Sequence, residues 1–275
     1  MIVDSHQHFW NYQPQRDSWI DDSMAVIRRD FTPADLQAEL TQNGVSHCVA
    51  VQADPSEAES IFLLDLADTH EFIAGVVGWV DLCAPNAGER LAHFARRPKF
   101  KGVRHLVQSE PDPEFMLRPD FKRGIAALAP LGLTYDLLIK PHQFKAAIAL
   151  VGAFPEQPFV LDHLGKPGYD KGLDKQWAKD LTELARHQNV YAKLSGLVTE
   201  SEGYRFTRAQ FDPVLEMALE AFGAHRLLFG SDWPVCLLAA SYGEVLDLIQ
   251  SFISTLSASE QAAIMGKNAQ YFYQL

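Results

Sequence analysis

Two histidines near the start of the chain are spaced to share one ligand. His6 and His8 follow the first apolar run of the sequence and are separated by a single residue. Side chains in a β-strand alternate between its two faces, so both imidazoles would project from the same face. There they could hold a metal ion, a water molecule or a substrate. For this motif alone, a chance pairing of two histidines remains an alternative.

A carboxylate ends a similar run near the other end of the chain. An apolar stretch from Leu227 to Phe229 leads into a polar turn that ends at Asp232. A polar side chain at the end of an apolar strand needs a reason, because burying it without a partner costs free energy. Histidines on the first strand and an aspartate on the last are typical of a barrel whose strand ends form an active site.

The elements that would position these residues alternate along the whole chain. Runs rich in β-branched residues predict strands at 2–6, 46–51, 73–79, 102–106, 133–138, 158–162, 190–195 and 226–230. Amphipathic stretches predict helices at 32–43, 56–70, 87–97, 119–131, 142–154, 174–188, 210–223 and 243–255. Strands alternating with helices predict an α/β fold, a (β/α)8 TIM barrel formed by a single domain over residues 1–275.

Local signals support this barrel. Thr32 and Pro33 suit the N-cap and the first position of the first helix. Ser257 and Glu260 have the spacing of a capping box, which predicts an extra C-terminal helix over 257–273. The alternative, a doubly wound open sheet, would need a glycine-rich turn after the first strand, and the chain has none there.

Further polar side chains end other predicted strands, and in a barrel these ends surround one active site. The residues are Gln52 on strand 2, Arg104 and His105 on strand 4, Asp162 and His163 on strand 6, and Lys193 on strand 7. The longest loops follow strands 1, 4, 6 and 7, at 9–31, 107–118, 164–173 and 196–209. The first of them carries Trp10 and Trp19, and it could cover a small ligand or simply pack on the surface.

Several of these side chains also have a purely structural explanation. Only one of Arg104 and His105 can point inward, because neighbouring residues of a strand face opposite ways. The other would pair outside the sheet. Lys193 could neutralise Asp4 inside the barrel, where an unpaired charge would be costly. Asp162 could cap the turn that follows it.

Composition narrows the class of partner. The 275 residues carry a net charge of −11, with basic residues scattered singly or in pairs, so a nucleic acid would meet repulsion. No apolar run approaches the length of a membrane span and no signal peptide is recognisable, so we expect no membrane partner and a cytoplasmic location. Three cysteines without C-x-x-C spacing argue against a disulfide framework and a structural zinc site. A small molecule is the expected ligand, and a homo-oligomer is possible.

Five motifs resemble those of a known family. They are Asp4-Ser5-His6-Gln7-His8-Phe9-Trp10, Gly102-Val103-Arg104-His105, Leu161-Asp162-His163-Leu164-Gly165-Lys166-Pro167, Lys193-Leu194-Ser195-Gly196-Leu197 and Gly230-Ser231-Asp232-Trp233-Pro234. Together they are similar to the sugar-lactonase branch of the amidohydrolase superfamily, which includes L-fuconolactonases and L-rhamnonolactonases. The resemblance covers nearly the whole chain. It implies a barrel enzyme that hydrolyses an aldonolactone to its open acid, with Asp232 as general base and His6, His8 and His163 as its catalytic partners.

The resemblance also bears on the metal. A binuclear amidohydrolase site takes further ligands from strands 4 and 5. Here strand 4 offers Arg104 and His105, and strand 5 contains no histidine. We therefore expect no binuclear centre. Either no metal is required, or one divalent ion is held by His6, His8, His163 and Asp232, and this ligand set suits zinc best.

The polar and aromatic residues at the strand ends are the expected substrate contacts, and other chemistries remain possible alternatives. Arg104 or His105, together with Gln52, Trp10 and Lys193, would bind the sugar lactone. An alternative function is a metal-dependent decarboxylase, or another hydrolase of the superfamily, acting on an unsaturated or aromatic acid. A catalytically inactive barrel that binds a sugar acid is a third possibility. The motifs do not specify which lactone is used or the size of its ring.

Overall fold

Eight parallel strands follow one another around a barrel in the computed structural model, which describes residues 1–169 and 172–275. The strands are β1 (Val3–Gln7), β2 (His47–Val51), β3 (Ile73–Gly78), β4 (Phe100–His105), β5 (Thr134–Leu137), β6 (Phe159–Leu161), β7 (Val190–Leu194) and β8 (Leu227–Phe229). Each pairs with the next in sequence. The (β/α)8 prediction is confirmed, with strand ends shifted by one or two residues. Of the loop predicted at 164–173, residues 170 and 171 lie outside the described residues.

The first and last strands meet at the mouth of the barrel. The Asp232 N–H donates to the carbonyl oxygen of His6 at 2.8 Å, and the His8 N–H donates to the carbonyl oxygen of Trp233 at 2.7 Å. These bonds continue the sheet from β8 back to β1 just beyond the end of β8. They also bring the polar residues at the two ends of the chain side by side.

Helices cover the outside of the barrel. They are α1 (Pro33–Gln42), α2 (Glu57–Thr69), α3 (Ala87–Phe94), α4 (Pro119–Ala126), α5 (Phe144–Ala153), α6 (Lys175–Ala185), α7 (Asp212–Phe222) and α8 (Tyr242–Ile253). The predicted capping at Thr32 is present, since its N–H and hydroxyl both bond to the Asp35 carboxylate. The helix α4 ends earlier than predicted, and a short 3-10 turn follows that contains Pro130, whose ring cannot continue an α-helix.

The C-terminal segment closes the opposite end of the barrel. It contains α9 (Ala258–Ala262), one π-helical turn (Ala263–Lys267) and α10 (Asn268–Tyr273). Phe272 and Tyr273 are buried in one cluster with Val49, Val77 and Val160 from three strands. The predicted extra helix is therefore present, and it plugs the barrel end remote from the mouth. No helix in the described ranges has both the length and the apolar character needed to cross a membrane.

Candidate active site

A cavity of about 250 Å³ opens at the carboxyl ends of the strands. This is the end at which (β/α)8 barrels bind their substrates. The polar side chains that line it come from four strand ends or the loops that follow them, and they are His8, Arg104, Gln108, Ser109, His163, Lys166 and Asp232. Trp10 and Trp19 from the loop after β1 form part of its apolar wall.

The histidines of β1 lie together on the inside of the barrel and face Asp232. Nε2 of His8 lies 3.3 Å from Oδ1 of Asp232, and Nε2 of His6 lies 3.7 Å from the same oxygen. Nδ1 of His8 lies 2.7 Å from the carbonyl oxygen of Val51, which can only accept a hydrogen bond. His8 therefore carries a proton on Nδ1. Its Nε2 donates to Asp232 when the ring is doubly protonated, and in the neutral ring it offers a lone pair that a metal ion shared with Asp232 could use.

Asp232 is held as an anion in an unusual backbone conformation. Its φ is 57°, in the left-handed region that a non-glycine residue adopts at a cost of about 1 to 3 kcal/mol. Burial would raise the pKa of this carboxyl, but the neighbouring His163, His8 and His6 outweigh it and hold the pKa well below its usual range. The carboxylate is therefore ionised at neutral pH.

His163 reaches the cavity through a left-handed turn. His163, Leu164, Gly165 and Lys166 all have positive φ, between 52° and 69°. This run ends β6 abruptly and exposes both His163 and Lys166 to the cavity. Burial lowers the pKa of His163 to about 4, against the attraction of Asp232 and Asp162, so the ring is neutral at neutral pH. Its Nδ1 lies 2.9 Å from the hydroxyl of Ser195.

Four buried charges form a layer directly beneath the cavity. Nη1 of Arg104 bonds to Asp162 at 3.0 Å, and Nζ of Lys193 lies 2.9 Å from Asp162 and 2.5 Å from Asp136. Two cations thus balance two carboxylates, as buried charges require. Burial would raise the pKa of Asp162, but Lys193, His6 and Arg104 hold it well below its usual range.

His6 connects this layer to the cavity. Its Nδ1 lies 3.3 Å from Oδ1 of Asp162 and 3.1 Å from Nζ of Lys193, while its Nε2 lies 3.3 Å from Nη1 of Arg104. Burial lowers the pKa of His6 well below its ordinary value, and Asp162 opposes that shift. The charged layer therefore fixes the position of the His6 ring, and this ring in turn contacts Asp232.

Comparison with known proteins places the chain in a family. Residues 3–275 match the family described as amidohydrolase. This chain belongs to the amidohydrolase family. Two curated relatives are both named L-fucono-1,5-lactonase. One, from Burkholderia multivorans, is 42% identical over 99% of this chain and 96% of its own length. The other, from Burkholderia ambifaria, is 36% identical over 99% of this chain and 95% of its own length.

A solved structure agrees closely with the fold. The crystal structure of an amidohydrolase from Burkholderia multivorans with bound zinc superposes with a TM-score of 0.95 and 42% identity. The match covers 100% of this chain and 99% of that one. The family and fold expected from the five sequence motifs are therefore confirmed.

The structure shows which of the two candidates on β4, Arg104 or His105, faces the cavity. Arg104 points inward and lines the cavity. His105 points outward, where its ring stacks on Phe115 with 4.9 Å between centroids and its Nε2 lies 2.7 Å from a Glu110 carboxylate oxygen. The suggestion that His105 contacts substrate is corrected accordingly, since strand alternation gives the inward position to its neighbour.

Two other predicted substrate contacts lie below the cavity. Lys193 is fully buried among Asp136, Asp162 and His6. The sequence suggested Asp4 as its partner, and the structure corrects this. Asp4 instead accepts from the Ser231 backbone and hydroxyl and from the hydroxyl of Tyr242. Gln52 is also fully buried and bonds through its backbone and side-chain oxygens to Arg104. Both residues support Arg104 and His6 and do not line the cavity.

Three residues at this site were given no functional role by the sequence. Asp162, which could have been a simple turn cap, holds Arg104 and Lys193. Asp136 on β5 is the second carboxylate of the charged layer, and its only sequence signal was its position inside an otherwise apolar strand. Lys166 lines the cavity, and its signal was its place in the motif after His163.

Metal donors fall into two overlapping sets in the described part of the chain. His6, His8 and Asp232 form one, and His6, Asp162 and His163 form the other. The expected set of four is therefore divided, with His163 apart from His8 and Asp232. The first set fits a zinc ion, because its ligands are two imidazoles and a carboxylate. The bond from His8 Nδ1 to a backbone carbonyl is the support that metal-binding histidines usually have.

Proposed function

We propose that this amidohydrolase opens a sugar lactone to its aldonic acid, with Asp232 as the general base. The observation that carries the proposal is the Asp232 carboxylate in the cavity wall, 3.3 Å from Nε2 of His8 and in the same cavity as His163. The names of the two Burkholderia relatives, aligned over nearly the whole chain, support the choice of a sugar lactone as substrate.

The first step is attack by water. Asp232 accepts a proton from a water molecule as the water oxygen bonds to the lactone carbonyl carbon. A positioned general base contributes about 10²- to 10⁴-fold to the rate of such a step. His8, which is fixed through Nδ1 by the carbonyl oxygen of Val51, faces Asp232 with Nε2 at 3.3 Å and helps to position the carboxylate beside the water. The buried layer beneath holds His6, and with it this face of the site, in place.

Charge then develops on the carbonyl oxygen. His163 lines this cavity and can direct an N–H group at that oxygen, while Arg104, whose terminal N–H groups are bonded to Asp162, His6 and Gln52, supplies positive charge beside it. Donors that are already oriented stabilise a developing charge more strongly in a water-poor cavity than in bulk water. Arg104 is kept in orientation by Asp162 and Gln52, so its guanidinium does not need to reorganise during the reaction.

The ring oxygen leaves as an alkoxide and needs a proton. Lys166 lines the cavity, and its ammonium lies 2.8 Å from a Glu200 carboxylate oxygen, which orients it. We assign to Lys166 the donation of a proton to this oxygen as the carbon–oxygen bond breaks. The proton on Asp232 then replaces the one lost by Lys166 through exchange with solvent. The carboxylic acid product ionises, so each turnover releases one proton.

The walls of the cavity suit a sugar ring. Trp10 is held by a bond from its indole N–H to the carbonyl oxygen of Arg29 at 2.9 Å, and Trp19 packs edge-on against it with 6.0 Å between ring centroids. Aromatic faces bind the C–H surface of a sugar, while Gln108 and Ser109 can bind its hydroxyls.

A metal ion is compatible with this arrangement. His6, His8 and Asp232 would hold a single zinc ion, which as a Lewis acid lowers the pKa of bound water and polarises carbonyl groups. We expect at most one zinc per chain by elemental analysis of the purified protein. Two stoichiometric metals per chain would contradict this part of the proposal.

Proton release in a weakly buffered indicator assay tests the function. The panel contains L-fucono-, L-galactono-, L-rhamnono- and D-glucono-lactones. Rapid acidification with one stereochemical subset is the expected result. No acidification with any member would contradict the lactonase proposal. Chelator-sensitive release of CO₂ from an aromatic or unsaturated acid would then identify a decarboxylase instead.

A further inference from the structure

Ser195 touches the catalytic machinery without lining the cavity. It follows the last residue of β7, is 1% exposed, and places its hydroxyl 2.9 Å from Nδ1 of His163. Gly196 packs against the same ring, and a Cβ atom at that position would lie 2.4 Å from Nδ1. The ring is thus confined between Ser195 and the backbone of Gly196, with Nε2 left for the cavity.

The direction of this hydrogen bond follows from counting donors and acceptors. A serine hydroxyl has one proton to donate. Within residues 1–169 and 172–275, His163 Nδ1 is the one hydrogen-bond partner recorded for the Ser195 hydroxyl. If that hydroxyl accepted from Nδ1–H, its own proton would be buried without a partner, at a cost of about 1 to 3 kcal/mol. If it donates to Nδ1, both groups are satisfied.

We propose that Ser195 is a positioning residue that donates to Nδ1 of His163 and so keeps the proton of that ring on Nε2. His163 then faces the cavity as a hydrogen-bond donor. This inference rests on the proposed lactonase function, in which the donor meets the carbonyl oxygen of the substrate.

The two histidines of the mouth would consequently have opposite tautomers. His8 donates from Nδ1 to the carbonyl oxygen of Val51 and presents a lone pair on Nε2. His163 accepts at Nδ1 and presents an N–H on Nε2. A ring nitrogen that carries a proton cannot bind a metal, so His163 would stabilise charge while His8 remains available as a ligand. The donor set of His6, His8 and Asp232 would stay usable, whereas the set that contains His163 would need an unprotonated nitrogen on that ring.

Nitrogen-15 NMR of the histidine rings tests the tautomer directly. The whole protein is labelled at histidine, and the His163 signals are assigned by their loss in His163→Gln. We expect the wild-type His163 ring to show the Nε2–H pattern at neutral pH. In Ser195→Ala the pattern should shift towards a mixture of tautomers, and Ser195→Thr, which keeps a hydroxyl, should restore it. An Nδ1–H pattern in the wild type, or no change in Ser195→Ala, would overturn the proposal.

Turnover provides a second readout. For a lactone substrate, Ser195→Ala should lower kcat by about 10- to 100-fold with little change in KM, because a misoriented donor weakens transition-state stabilisation. Ser60→Ala is the matched control, since Ser60 is also buried, its hydroxyl bonds to the Trp79 backbone, and neither residue lines the cavity. If Ser195→Ala and Ser60→Ala lowered kcat equally, the role of Ser195 would be structural only, which contradicts the proposal. A wild-type protein without lactone turnover would refute the proposed function, while the NMR result would still decide the tautomer.

Discussion

The mouth of the barrel and the layer of buried charges beneath it both contain polar and charged side chains, but they differ in backbone conformation and in pairing. At the mouth, His163 and Asp232 adopt left-handed backbone conformations and line an open cavity. In the layer beneath, Arg104 and Lys193 come from regular strand positions and are paired with carboxylates. The side chains that can react have strained backbones and face the cavity, whereas those that hold them form buried ion pairs.

Removing one carboxylate from the buried layer should produce the largest change. Asp162→Asn leaves Arg104 and Lys193 short of a countercharge in the barrel interior. We expect the free energy of unfolding to fall by about 3 to 5 kcal/mol, the usual cost of breaking a buried ion pair by removing one partner. Urea denaturation followed by circular dichroism measures this value.

An exposed ion pair supplies the control for that experiment. Asp22 pairs with Arg28 at 2.6 Å, but its side chain is almost entirely in solvent. Asp22→Asn should leave the unfolding curve unchanged. If Asp162→Asn behaved in the same way, the paired layer would not be what stabilises the base of the site.

Glu59, another buried carboxyl, sharpens the comparison because it forms no ion pair with any residue of the described ranges. Burial raises the pKa of Glu59 from 4.5 to about 7, opposed by the N–H of Ala53, a residue of the cavity wall, and by Arg16. The folded protein therefore binds a proton here that the unfolded chain has lost, so stability falls as pH rises from about 4.5 to 7.

Glu59→Gln should remove this dependence. The amide keeps an acceptor for the Ala53 N–H and cannot ionise. Above pH 7 we expect the variant to be more stable than the wild type by roughly 3 kcal/mol, from about 1.4 kcal/mol per pH unit, and to have no such advantage at pH 4.5. Urea titrations of both proteins at the two pH values measure the difference. An advantage that did not depend on pH would show that ionisation of Glu59 is not its cause.

The smallest effect is expected where the C-terminal helix meets the charged layer. The Tyr273 hydroxyl donates to Asp136 at 2.8 Å, but Asp136 also keeps Lys193. Tyr273→Phe should therefore lower the free energy of unfolding by only about 1 kcal/mol, a typical value for one hydrogen bond. Tyr271→Phe on the same helix is the control, because that ring is 77% exposed and should not affect stability. If Tyr273→Phe lowered the free energy of unfolding as much as Asp162→Asn does, the charged layer would depend on the C-terminal helix for its stability.

The sequence was sufficient for the barrel because parallel strands and amphipathic helices leave separate periodic patterns. It also placed His6, His8 and Asp232 at one end, since barrel strands all point the same way. It could not decide between Arg104 and His105, because alternation alone permits either inward face. The structure settles that choice through the packing of His105 on Phe115.

The rest of the site depends on contacts between distant segments. Lys193 meets Asp136 and Asp162 across neighbouring strands, and only the assembled barrel shows that these charges cancel. The left-handed turn from His163 to Lys166 was also unpredictable, because three of its four residues are not glycine and local preference opposes that conformation. Tertiary packing maintains it, and it presents Lys166 to the cavity.

The turnover of Asp232→Asn tests the central claim most directly. The amide keeps the shape of the side chain but cannot accept a proton from water, so kcat for the preferred lactone should fall by at least about 100-fold. The free energy of unfolding should remain close to that of the wild type, in contrast to Asp162→Asn. Turnover near the wild-type rate in a folded Asp232→Asn protein would contradict the assignment of the general base.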